Sequence, residues 1–337
     1  MLKSGRRRRA IRRRVVVVIL VAVLTASFLL ALMLGQSFTP PGQVLRVLMG
    51  QDVPGAGFTV GQLRLPRSVI SILAGLCFGL GGAAFQVMLR NPLASPDIIG
   101  ISAGASAAAV FGIVFLSLDG ASISGMAIAA GLAVALLIYG LSFKGGVAGS
   151  RLILVGIGIS AMINSFIAYA LARAPAWDLQ EAMRWLSGSV NGVRLEQAWP
   201  LLAALAVFGG LMLSRSRDLE ALRMGDDLAS ALGVRVGPLR LTIILSAVGM
   251  IAVATAITGP IAFVAFLSGP IATKIAGPRG SVLVPSALVG AVLVLVGDYA
   301  GQFMLPGRYP VGVVTGALGA PFLLWLIIRA NRVGGSV

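Results

Sequence analysis

The sequence predicts an all-α, polytopic membrane protein with about ten transmembrane helices, and three features carry that prediction. Of its 337 residues, 58% are hydrophobic and 11% charged, against ~25% charged in soluble domains. Apolar runs of roughly twenty residues, the length that crosses a bilayer as a helix, recur from Val15 to Ile328. Basic residues gather at alternate ends of those runs, as the positive-inside rule requires. The mean hydropathy of +0.97 agrees.

Taken in order, the expected span cores are Val15–Gly35, Val69–Leu89, Ile98–Leu116, Met126–Phe143 and Leu152–Leu171 in the first half. Trp199–Leu213, Leu241–Ile257, Pro260–Ile275, Val282–Met304 and Val311–Ile328 make up the second. The third and eighth are the least regular, because Gly and Pro interrupt or border them. Residues 1–14 form a basic tail, and 15–337 are expected to be one transmembrane domain. Eight of the 27 basic residues lie between Lys3 and Arg14, directly before the first run. A secretory signal has a shorter apolar region of ~7–15 residues and a small-residue cleavage site, so the first run reads as a retained span.

Charge counting sets the expected orientation. With the N-terminus in the cytoplasm, 20 basic residues fall inside and seven outside, namely Arg46, Arg64, Arg67, Arg173, Arg184, Arg194 and Arg308. Both termini are therefore expected in the cytoplasm. A net charge of +16 would suggest nucleic acid in a soluble protein. Here the arginines of the tail have no aromatic companions on which bases could stack, and the bilayer is the expected partner.

The most informative stretch is Leu63 to Ala105, LRLPRSVISILAGLCFGLGGAAFQVMLRNPLASPDIIGISAGA. Its span carries Gly75, Gly79, Gly81 and Gly82, and small residues let helix backbones approach closely in lipid. Two connections are too long to be simple turns. The outer one, Ala172 to Gln197, has helix-like and turn-like pieces and is expected along the membrane surface. The inner one spans residues 214–240. Within it, Asp226 or Asp227 could cap a short helix whose apolar face is Leu228, Ala231 and Leu232, with Gly233 ending it. Spacing alone rates a docking knob and an ordinary connector about equally. Arg64 and Arg67, at the outer boundary of the second span, read either as interfacial snorkelling residues or as cations that ion-pair with an outer protein.

Several functions are excluded. There is no histidine and one cysteine, Cys77 inside an apolar run, so His/Cys zinc sites, disulfides within the chain and imidazole catalysis are excluded or nearly so. No G-x-x-x-x-G-K-[ST] loop occurs, and GIGIS at Gly156 to Ser160 sits inside a span. The one acid in a span is Asp298. An ion-driven secondary transporter would need intramembrane charges, so uphill transport points to energy from a partner.

Six segments in order give the chain a resemblance to a known family: LRLPR at Leu63, NPLASPDIIGISAGA at Asn91, MRWLSGSVNGV at Met183, MGDDLASALGV at Met224, GPIAFVAF at Gly259 and PVGVVTGALGAPFLLWLI at Pro310. They resemble the permease subunits of binding-protein-dependent ABC importers for ferric siderophores, haem and cobalamin, the FecCD/BtuC type. The resemblance implies a ten-span fold that pairs with itself or a related permease around a central path. It implies that ATP and Mg sit on a partner ATPase, with no catalytic residue, metal or cofactor on this chain. Asp226, Asp227, Ala229, Leu232, Gly233 and Val234 would contact that ATPase. Arg64 and Arg67 would meet acidic residues of an extracytoplasmic substrate-binding protein. Ser160, Met162, Asn164 and Ser165 would line the path.

Three departures from the family pattern stand out. Gly269 and Pro270 replace a P-H pair, Gln302 stands after Asp298 where an arginine is common, and Arg308-Tyr309-Pro310 replaces E-L-P. Arg308 is a candidate substitute for the missing cation. The implied cargo is a ferric siderophore, carried across the cytoplasmic membrane, although cobalamin and haem permeases share every motif quoted.

Overall fold

The computed structural model describes residues 2–118, 120–142, 149–277 and 280–334. Lys144 and Arg279, both counted among the cytoplasmic cations, and Phe143, the expected end of the fourth span, lie outside these residues. So do the side chains of Lys3 to Arg9, Arg329 and Arg332.

Among the described residues the chain is all helix and turn. Helices α1 (Leu2–Met33) and α2 (Pro41–Leu48) precede a wider π-type segment at Gly57–Arg64, which runs without a break into α3 (Leu65–Leu89). A 3-10 turn at Pro96–Ile99 leads to α4 (Ile101–Leu116), α5 (Gly120–Ser142), α6 (Gly149–Arg173) and α7 (Ala176–Leu186). Helix α8 (Ala198–Ala204) continues through a π segment into α9 (Gly210–Ser214). Then come α10 (Ser216–Leu222), α11 (Asp226–Ala231), α12 (Val236–Thr258), α13 (Val264–Ala276), α14 (Leu283–Phe303) and α15 (Val311–Gly334).

Among the described residues, seven helices are long and apolar enough to cross a membrane, and three shorter apolar helices, Ile101–Leu116, Val264–Ala276 and Val311–Leu326, accompany them. These ten fall on the ten expected cores. The third and eighth, expected to be irregular, are two of the short ones. At 1.5 Å per residue, the 13 residues of α13 reach about 20 Å, less than a ~30 Å hydrocarbon core. Non-helical backbone at that depth has to be covered by protein. The segment after α7 provides the cover: Ser189 N–H donates to the Thr258 carbonyl at 2.6 Å, and Gly188 accepts from Gly312 N–H at 3.0 Å.

Helix α3 is the hub of the bundle. It is buried along most of its length and packs on α14, α12 and α13. Its glycines divide that work. Gly75 and Gly79, one small-xxx-small pair, lie against α14, where a Cβ on Gly75 would come 2.6 Å from Ala291 Cα. Gly81 faces Ile251 of α12, and Gly82 faces the Ala265 backbone of α13. Cys77 is fully buried in the same core. The NPLASP break has a local cause as well. Arg90 adopts a left-handed backbone, Asn91 Oδ1 accepts from Leu93 N–H at 2.9 Å, and Ser95 Oγ accepts from Asp97 N–H to start the 3-10 turn.

Candidate functional site

The two ends of the bundle carry the polar features. At one end, Arg67 in the first turn of α3 grips Asp298 of α14 through Nε and Nη2, the latter 2.6 Å from Oδ1. Its Nη1 donates to Asn191 Oδ1 at 2.8 Å. One guanidinium thus joins α3, α14 and the segment after α7. Sequence reasoning left Asp298 without a partner and Arg67 as either a snorkelling or an ion-pairing residue, and the resemblance gave Arg67 to an outside protein. The missed signal was charge parity: a lone acid in one span and an arginine at the same level of another span pair, because lipid gives neither a cheaper alternative.

Arg64 also has an internal task. Its Nη1 donates to the Leu32 and Met33 carbonyls at 2.9 and 3.0 Å, and its Nη2 to the Ser37 carbonyl at 2.7 Å. The Leu32 and Met33 carbonyls belong to the last turn of α1, whose acceptors have no partner within the helix, and Ser37 lies in the connection that follows. Arg64 is 8% exposed and is spent on holding α1 to α3, not presented to the outside as expected. Arg308 is exposed. It lines, with Arg64, Arg67, Asp298 and Asn191, an open cavity of about 440 Å³.

At the opposite end lies the 214–240 connection. It forms two short helices, α10 and α11, of which the first was not expected. Leu219 and Leu222 of α10 are buried in the main core. In α11 the N-cap is Gly225, and neither Asp226 nor Asp227 caps the helix with its side chain. Asp226 instead pairs with Arg240 at 2.9 Å and, more loosely, with Arg90 at 3.6 Å. These pairs fasten α11 to α12 and to the end of α3. The C-terminus closes as a Schellman turn: Val234 N–H donates to the Ala229 carbonyl at 3.0 Å, and Gly233 N–H to the Ser230 carbonyl at 2.9 Å. Gly233 takes φ +86° in open space, a left-handed value that a Cβ disfavours. Ala229, expected at a partner contact, is fully buried. Asp227, Leu228, Ala231, Leu232 and Gly233 are exposed on the outward face, with Val234 half-buried beside them.

The four expected path residues on α6 separate into two faces. Met162 is 74% exposed, and Asn164 and Ser165 are exposed beside it. Ser160 turns the other way. Its Oγ is buried, without a hydrogen-bond partner among the described residues, close to Gly100. Among the described residues no group of three His, Cys, Asp or Glu side chains could hold a metal.

The family model described as the FecCD transport family matches residues 22–329. The chain belongs to the FecCD transport family. FecCD relatives of known name match it over most of both lengths. The ferric enterobactin transport system permease protein FepG of Escherichia coli strain K12 is 37% identical over 86% of this chain and 88% of its own. The achromobactin transport system permease protein CbrC of Dickeya dadantii strain 3937 is 38% identical, covering 92% and 89%. The iron(3+)-hydroxamate import system permease protein FhuG of Bacillus subtilis strain 168 is 34% identical, covering 92% and 95%. Among solved structures, an inward-facing metal-chelate type ABC transporter aligns over 93% of this chain and 98% of its own, with a TM-score of 0.83 at 25% identity. This FecCD chain is thus a multi-pass membrane transport protein.

Proposed function

We propose that this chain is the permease subunit of an ABC importer that carries a ferric siderophore inward across the cytoplasmic membrane. The observation that carries the reading is the near-full-length likeness to three permeases named for iron chelates. On this reading both termini and α11 face the cytoplasm. The exposed residues of α11 then form the knob that a nucleotide-binding subunit grips, with Asp226 anchoring it from behind through Arg240. Of Arg64, Arg67 and Arg308, Arg308 is the exposed one and meets an acidic patch on the substrate-binding protein. Arg64 and Arg67 support that surface from within.

The chain makes or breaks no covalent bond in this scheme. ATP and Mg are held by the partner, whose cycle rocks two permease subunits between outward and inward openings. The exposed face of α6, with Met162, Asn164 and Ser165, lines the path. A weakly polar, weakly apolar lining passes a bulky chelate without trapping it.

Purified alone, the chain should hydrolyse no ATP, and hydrolysis should appear when a cognate nucleotide-binding subunit is added. Proteoliposomes holding the full complex should then accumulate radiolabelled iron presented as a siderophore complex. ATP turnover by the permease alone would overturn the proposal. Uptake of cobalamin or haem in place of the iron chelate would move the cargo and keep the machine.

A further inference from the structure

Between α3, α13 and α15, at the end of the bundle that carries α11, lies a cavity of about 500 Å³, within the ~300–1,000 Å³ range of ligand sites. One wall is apolar, made by Val87, Phe322, Trp325 and Leu326. The rim carries Arg90, Arg223 and Lys274, and among the described residues no Asp or Glu lines the cavity. Three separate elements deliver these cations. Arg90 follows the last residue of α3, Arg223 follows α10, and Lys274 stands in the last turn of α13.

Their charges are poorly compensated. Among the described residues neither Arg223 nor Lys274 has a carboxylate within ion-pair distance, and Arg90 reaches only Asp226 at 3.6 Å, which Arg240 holds more closely. Lys274 Nζ is 4.3 Å from the centre of the Trp325 ring, a contact that positions the ammonium and leaves its charge in place. Like charges brought to one rim repel unless an anion joins them.

The shape narrows the choice of anion. A free phosphate would satisfy the rim and leave the aromatic wall in water. A lipid satisfies both parts, with its phosphate on the cations and its acyl chain along the wall. Basic pockets between spans, at the level of the headgroups, have this form, and a tryptophan at that level is in its preferred place.

We propose that this cavity binds an anionic phospholipid, with its phosphate on Arg90, Arg223 and Lys274 and one acyl chain against Phe322, Trp325 and Leu326. The test is native mass spectrometry of the delipidated full-length chain, titrated with phosphatidylglycerol or with phosphatidylcholine of the same acyl chains. The first phosphatidylglycerol should bind more tightly than the first phosphatidylcholine. The triple variant R90Q/R223Q/K274Q should lose about fivefold affinity per cation removed, while the charge-keeping variant R90K/R223K/K274R should lose little. The variant R173Q, on the opposite end, should match the wild type, and the basic tail contributes equally to every variant. Equal binding of the two lipids, or an unchanged first adduct in the triple variant, would overturn the proposal. So would displacement by millimolar inorganic phosphate, which would make the rim a site for a small free anion.

Discussion

Arg67 and Asp298 lie 231 positions apart and meet at the top of the bundle. Asp298 is 5% exposed overall, so losing its partner strands a buried charge, at a cost of ~3–5 kcal/mol. R67A and D298A should each lower the thermal unfolding midpoint in detergent sharply, and R67A/D298A together should lose well under the sum. Strict additivity would show that the two groups do not interact. Gly82 makes a second residue-scale prediction. An alanine Cβ there would sit 2.6 Å from the Ala265 carbonyl carbon, and overpacking of this kind costs ~1–3 kcal/mol. G82A should therefore be less stable by that amount, while G158A, on the open face of α6, should be neutral. Comparing the two unfolding midpoints checks this directly.

Helix α11 has only six residues, too short to persist alone. Its shape is borrowed from the Asp226–Arg240 pair, the buried Ala229 and the Schellman turn at Gly233. Leu228 and Leu232 take no part in that scaffold and are 58% and 65% exposed. Replacing both with Asp should leave the fold and its unfolding midpoint nearly unchanged, yet reduce co-purification with the nucleotide-binding subunit. Retained assembly with full ATP-driven uptake would remove α11 from the coupling interface. G233V should act differently. It strains the left-handed turn by ~1–2 kcal/mol, distorts the knob, and should lower the ratio of transport to ATP hydrolysed.

At the scale of the whole molecule, the hub α3 ties three neighbouring spans together, whereas α1, α5 and α6 show far more of their surface. The tight group suits a rigid body, and the exposed helices suit lipid or a second permease. The cavity lined by Arg308 adds a prediction about assembly. R308E should weaken capture of the substrate-binding protein several-fold at low salt, with the difference fading as ionic strength rises. Capture that ignores both the reversal and the salt would place the docking surface elsewhere.

Composition and run length were enough to determine the membrane class and to locate the ten apolar helices, because burial in lipid imposes the same apolar requirement on each helix independently of its neighbours. Local chemistry likewise placed the Gly233 stop and the NPLASP break, since Asn, Ser, Pro and Gly act through backbone groups a few residues away. Which cations are free was decided only by tertiary structure. Arg64, Arg67 and Arg308 read alike in the sequence, yet Arg64 caps α1, Arg67 holds Asp298, and Arg308 alone is left exposed. Asp226 reads as a helix cap and is instead an anchor to Arg240, and Ser160 reads as path lining and turns inward. For Arg64, Arg67 and Asp226 the deciding partner lies on another segment of the chain, and the direction in which a side chain points depends on packing angles that no local pattern encodes.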